Sequence, residues 1–113
     1  MSYWVSLVNK EEEIVEVESF EEGGTYCLGG STGADLNITY NYSKQYARFG
    51  FSLWDLEGKR AKHTVATLEK LVASLGIEKS RDYWEATPGN AGYALSILLR
   101  WAQQHPRTKW RVH

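Results

Sequence analysis

The residues best placed to do chemistry are Thr87-Pro88-Gly89-Asn90-Ala91-Gly92. Thr87 is a favourable helix N-cap, and Pro88 suits the first helical position because its missing N–H would be unpaired there anyway. A helix that starts here presents unpaired N–H groups and a partial positive charge, which together can hold a phosphate or carboxylate. Gly89 and Gly92 would let a ligand or another backbone come close, and Asn90 adds a side-chain donor. The same residues also serve as a packing motif, with Gly92 letting the helix lie tightly on a sheet.

A second candidate surface is Tyr40, Asn41, Tyr42 and Arg48. Together with Tyr46, Phe49, Phe51, Trp54 and Lys44, these rings and cations can stack bases and meet phosphates as single-strand binders do. Core packing is the competing account of the rings, and an isoelectric point of about 6.3 makes nucleic acid an unlikely partner. Gly29-Gly30-Ser31-Thr32-Gly33 lacks the Gly-Lys-Ser/Thr ending of a phosphate-binding P-loop and reads as a hairpin loop. His63, His105 and His113 have no metal-ligand spacing. Asp55, Glu57, Asp82 and Glu85 form no acid and base pair visible in the sequence. Cys27 is the only cysteine, which excludes an internal disulfide and reads as a half-buried strand thiol. No catalytic residue, metal ligand or cofactor site is therefore predicted.

The elements that must position these residues follow from periodicity. Tyr3 to Val8 and Glu13 to Glu18 read as the two strands of a hairpin, and Thr25 to Leu28 as a third strand. Leu36 to Tyr42 alternates as a fourth, with Leu36, Ile38, Tyr40 and Tyr42 on one face and a wet face of Asn37, Thr39 and Asn41. Ser43 to Trp54 reads as a short helix or turn and then an extended stretch. A helix from Thr64 to Leu75 carries the stripe Val65, Leu68, Leu71, Val72 and Leu75, and Gly76 ends it with Ile77 folding back on Val72. The helix opened by Thr87 runs to His105-Pro106, and Lys109 to Val112 alternates as a closing edge strand. Its stripe Ala91, Ala94, Leu95, Leu98, Leu99 and Ala102 is joined by a second one of Tyr93, Ile97 and Trp101. A helix this apolar is either sandwiched within its own chain or meets another subunit along one stripe. The expected architecture is one α+β domain over residues 1–113, a mostly antiparallel sheet of four or five strands packed against two main helices.

Composition agrees with a folded domain: 42% of residues are apolar and 24% charged, far from the regime of disorder. The charge is uneven, since residues 1–40 hold one base and eight acids whereas residues 41–113 hold twelve bases and six acids. Folding can mix these charges, or they can meet between the copies of an oligomer. No apolar run approaches the roughly 20 residues that span a bilayer, and Met1-Ser2-Tyr3-Trp4 has no signal-peptide character, so the expected address is the cytoplasm.

Taken together, Tyr3-Trp4-Val5, Gly23-Gly24-Thr25-Tyr26, Leu36 to Tyr42, Asp82-Tyr83-Trp84, Thr87 to Gly92, Leu98-Leu99-Arg100-Trp101-Ala102 and His105-Pro106 resemble a family of small, uncharacterised phage and prophage proteins. The resemblance implies an accessory binding role and carries no catalytic residues. The expected function is a non-enzymatic, homo-oligomeric binding protein that engages a protein partner or a small anionic, nucleotide-like ligand. Thr87, Gly89, Asn90 and Gly92 would form one site, Tyr40, Asn41, Tyr42 and Arg48 a second, and Tyr93, Ile97 and Trp101 the subunit interface. The alternatives are an enzyme acting on a phosphorylated or nucleotide substrate and a single-stranded nucleic-acid binder.

Overall fold

The computed structural model describes residues 2–17, 25–27, 33–82 and 84–113, and of 25–27 only the backbone. Within them the chain forms β1 (Ser2–Val8), β2 (Thr25–Cys27), β3 (Asp35–Thr39), α1 (Ser43–Ala47), α2 (Val65–Leu75), α3 (Pro88–Gln104) and β4 (Lys109–Val112). The class is α+β. β3, β1 and β4 make the body of an antiparallel sheet, and the three-residue β2 is added beside β3, giving the order β2-β3-β1-β4.

The sheet's membership differs from the expected four or five strands. The turn after β1 does form, because the Asn9 side-chain oxygen accepts the backbone N–H groups of Glu11 and Glu13 at 2.9 and 3.0 Å. The predicted return strand Glu13 to Glu18 does not follow within the described residues. Residues 13–17 make only isolated bridges, Val8 to Ile14 and Glu16 to Gly33. The reason is competition: β4 pairs with β1 over Val5–Val8 and β3 holds its other edge over Ser2–Ser6, which leaves residues 14 and 15 only the Leu7–Val8 end of that edge. The predicted loop 29–33 lies outside the described residues apart from Gly33, as does the burial of Cys27.

The predicted strand Leu36 to Tyr42 stops at Thr39. The Thr39 hydroxyl accepts the backbone N–H of Asn41 at 3.2 Å, which starts a 3-10 turn, Tyr40–Tyr42, that runs into α1. Of the expected wet face only Asn41 is exposed; Asn37 and Thr39 are buried, as is Asp35 beside them on that face. Their polarity is satisfied locally: Ser6 Oγ donates to Asp35 Oδ1 at 2.6 Å, and Asn37 Nδ2 donates to Ser2 Oγ at 2.6 Å. On the opposite sheet face, register brings Val5 together with Leu36 and Val112, and Leu7 together with Trp110. These side chains join Leu68, Leu95, Ile97, Leu98 and Trp101 in one continuous core.

α2 ends as its sequence implies: Gly76 has φ 78° and its N–H donates to Val72 O at 2.8 Å. Ile77, however, does not seal that end, being 56% exposed. α3 has Thr87 Oγ1 accepting the N–H of Asn90 at 3.1 Å, with Pro88 in the first turn. Thr87→Ala is expected to lower stability by about 1 kcal/mol, read as a lower urea midpoint with an unchanged slope. Of the stripe assigned to subunit contact, Ile97 and Trp101 are buried in the chain's own core, and Tyr93 is half-buried beneath the Lys79 ammonium, 4.5 Å from the ring centroid. α3 is thus sandwiched within its own chain, and the oligomer expectation loses the stripe it rested on.

The uneven charge is partly mixed by folding. Glu12 meets Lys109 at 3.3 Å and Arg111 at 2.6 Å, and Arg111 also reaches Glu57 at 3.4 Å. Hydrogen bonds from Arg111 and Lys109 hold the Glu12 carboxyl below the usual carboxylate range. All four side chains are partly exposed, so these pairs serve register more than stability.

Candidate functional site

The start of α3 is built chiefly for packing. Asn90 is fully buried, and its amide is committed to the connector that precedes the helix. Its Oδ1 accepts the Ser80 N–H at 3.0 Å, while Nδ2 donates to Ser80 Oγ at 3.0 Å, Asp82 O at 3.1 Å and Glu85 O at 2.9 Å. Both of its amide hydrogens are therefore accounted for inside the protein. The two glycines have equally local reasons: a Cβ at Gly89 would overlap the carbonyl oxygen of Glu78, and one at Gly92 the carbonyl oxygen of Gly76. A shallow hollow of about 510 Å³ lies at this end, but Glu78 lines it together with Lys79, and a carboxylate there opposes an anion.

The second predicted group is not brought together. Tyr42 is fully buried, and burial, reinforced by the Asp82 carboxylate, pushes its hydroxyl up to about 12. Tyr40 points outward, with its ring 4.5 Å from that of Tyr3. Asn41 Nδ2 donates to Trp84 O at 3.0 Å. Arg48 Nη1 donates to Gln45 Oε1 at 2.7 Å, and its guanidinium lies 5.6 Å from the Phe49 ring centroid. Tyr46 is a core residue whose hydroxyl donates to Ala91 O at 3.0 Å, and burial holds its pKa well above the usual tyrosine range.

The site with binding geometry is a cleft of about 550 Å³ that the sequence reading did not single out. One wall is α2 and the residue before it, where Thr64, Thr67, Lys70 and Ser74 recur at helical spacing. The other is the chain from Phe49 to His63. Its backbone is fixed from three directions. Ser52 caps the 3-10 turn Leu53–Leu56 and Asp55 completes a capping box, its Oδ2 accepting the Ser52 N–H at 3.0 Å. Gly58 N and Ala61 N donate to Trp110 O and Thr108 O at 2.9 and 2.8 Å, and Trp110 N donates back to Lys59 O at 2.9 Å. Below them Trp110 Nε1 donates to Thr64 Oγ1 at 2.8 Å, and that hydroxyl donates to Ala61 O at 2.7 Å.

Electrostatically the cleft is cationic. Lys59, His63 and Lys70 line it, and among the described residues none of their side chains has a hydrogen-bond or ion-pair partner. The one carboxylate among the described lining residues, Asp55, is turned to the backbone as a cap. The hydroxyls of Thr67 and Ser74 supply further donors. Such a lining can hold phosphate or carboxylate oxygens by charge-assisted hydrogen bonds. The sequence signal for it was present in the 3 and 4 spacing of Thr64, Thr67, Lys70 and Ser74 along α2.

Among the described residues no three His, Cys, Asp or Glu side chains gather to hold a metal ion, and no helix is long and apolar enough to cross a membrane. Comparison with protein-family models, curated proteins and solved structures returns no match.

Proposed function

We propose that this chain is a non-enzymatic binding protein that holds a small phosphate-bearing anion in the cleft between α2 and residues 49–63. The observation that carries the reading is the lining itself: two lysines and a histidine without partners among the described residues, beside two hydroxyls and a carboxylate already engaged in capping. The size of the cleft, about 550 Å³, is that of small-ligand sites. The reading stops at binding because Asp55 is bonded to the Ser52 N–H, and the His63 ring, the other group in the lining that could act as a base, has no partner among the described residues to orient it. An accessory binding role is also what the resemblance to small phage and prophage proteins implies.

Calorimetric titration with inorganic pyrophosphate tests this. The unmodified protein is expected to bind it with an affinity that falls as salt rises. Lys70→Glu and Lys59→Glu are each expected to weaken binding by roughly tenfold or more, since each removes a charge-assisted contact and adds a repulsive one. Both lysines are exposed, so thermal stability should change little. Absence of pyrophosphate binding, or binding indifferent to both charge reversals, would falsify the proposal.

A further inference from the structure

The cleft is more than an ionic socket, because one of its lining residues has no use for a bare anion. Phe49 is 43% exposed and stands in the turn that follows α1. A phenyl ring left in water is unfavourable by the hydrophobic effect, and inorganic phosphate would gain nothing from it. The Arg48 guanidinium lies over one face of the ring, 5.6 Å from its centroid, and donates to Gln45 Oε1 at 2.7 Å. Gln45 is itself tied to the connector before α3, with Nε2 donating to Ala86 O at 2.9 Å. Beside the ring Gly50 has φ 69°, and a Cβ there would meet nothing within 4 Å, so the adjoining space is open. Phe51 gives the neighbouring lining an apolar floor, locked by an edge-on contact with Tyr46 at 5.9 Å between centroids. The cleft therefore combines a fixed, accessible aromatic ring with unpaired cations in a space larger than a phosphate group fills.

We propose that the occupant is a nucleoside di- or triphosphate, with its phosphates on Lys59, His63 and Lys70 and its base stacked on Phe49. The inference rests on the anion-binding reading above and adds the ligand's second half to it. Aromatic stacking tolerates every base, because each has a π face, and the Arg48 guanidinium over the ring adds polarisation rather than base selectivity. Nothing in the described lining reads base edges in a fixed pattern, so adenine and uracil nucleotides are expected to bind alike to within a small factor.

The test is calorimetric titration of the full chain with ADP, UDP, adenosine and inorganic pyrophosphate, repeated on Phe49→Ala and Phe49→Trp. ADP is expected to bind roughly tenfold tighter than pyrophosphate, the gain that stacking on one ring supplies. That gain should vanish in Phe49→Ala and persist in Phe49→Trp, while pyrophosphate binding stays the same in all three proteins. Equal affinity for ADP and pyrophosphate, or a preference for ADP that Phe49→Ala leaves intact, overturns the nucleoside inference and leaves the anion site standing. Failure of both ADP and pyrophosphate to bind overturns the anion site itself. Phe49 is an exposed turn residue, so the alanine variant should fold, and an unchanged melting temperature would establish that it does.

Discussion

Asn90→Ala is expected to destabilise the protein by on the order of 3 kcal/mol, whatever the ligand, and so to lower its melting temperature by more than 10 °C or thereabouts for a domain of this size. The side chain is fully buried and joins three points of the connector, Ser80, Asp82 and Glu85, to the first turn of α3. Truncation removes those bonds and leaves a cavity the size of an amide. Ser80 is half-buried, while Asp82 and Glu85 are exposed, so water can take over some of the abandoned partners. That relief keeps the loss below the sum of four separate bonds. Asn90→Asp supplies the sharper contrast: it keeps the volume but puts a carboxylate oxygen against the carbonyls of Asp82 and Glu85, so it should be at least as damaging as alanine. A residue that gripped an anion would behave otherwise, losing binding with little change in stability. Urea denaturation of the two variants, beside pyrophosphate titration of whatever remains folded, separates the roles.

The same residue shows what could be read from the chain. The start of α3 was legible because capping is local: Thr87 bonds the N–H of Asn90 three positions on, and Pro88 fills the first turn. The end of α2 at Gly76 was legible for the same reason. Asn90's amide belonged to the same motif, but its partners sit 5 to 10 residues upstream in a connector without hydrophobic period, so nothing local revealed that its hydrogen bonds were internal. The return strand Glu13 to Glu18 failed for a nonlocal reason. Its alternation was genuine, yet β4 had taken one edge of β1 and β3 the other as far as Ser6, leaving room for a bridge at Val8 and no more, and edge availability is a property of the whole sheet.

Tyr40-Asn41-Tyr42 misled in another way, since the alternation of Leu36 to Tyr42 continues past the point where the Thr39 hydroxyl captures the Asn41 N–H. Threonine in a strand pattern reads as β-branched filler, whereas here it acts as a cap. With the strand broken, Tyr40 and Tyr42 no longer share a face: one is exposed and the other buried. The cleft was half legible. Its α2 wall follows from the spacing of Thr64, Thr67, Lys70 and Ser74, but the apposition of Phe49 depends on the turn after α1 and on the bonding of residues 58–61 to β4.

Gly92→Ala puts the α2 and α3 contact to its hardest test. A Cβ at this position would overlap Gly76 O and stand 2.9 Å from Leu75 Cβ and 3.0 Å from Gly76 C. Two of these atoms are backbone at the end of α2, and the third belongs to a side chain 6% exposed, so none can swing aside. Alanine would raise helix propensity by about 1 kcal/mol. Overpacking against an unyielding neighbour costs about 1–3 kcal/mol and occasionally more. Because the obstruction is backbone, the upper end applies and the net effect is a loss of about 2 kcal/mol or more. Gly89→Ala is the internal comparison. Its new Cβ also meets a backbone carbonyl, but that of Glu78, which lies in the exposed connector rather than at a helix end. The connector can shift outward, so the loss should be smaller than at Gly92. If denaturation midpoints order the two variants the other way, the helix crossing at Gly76 and Gly92 is not the rigid contact these distances describe. If Gly92→Ala is neutral or stabilising, the close approach of α3 to the end of α2 is absent in solution. The same approach sets the tilt of α2, and with it the distance of Lys70 and Ser74 from Phe49, so a folded Gly92→Ala protein should bind pyrophosphate more weakly although Gly92 does not line the cleft.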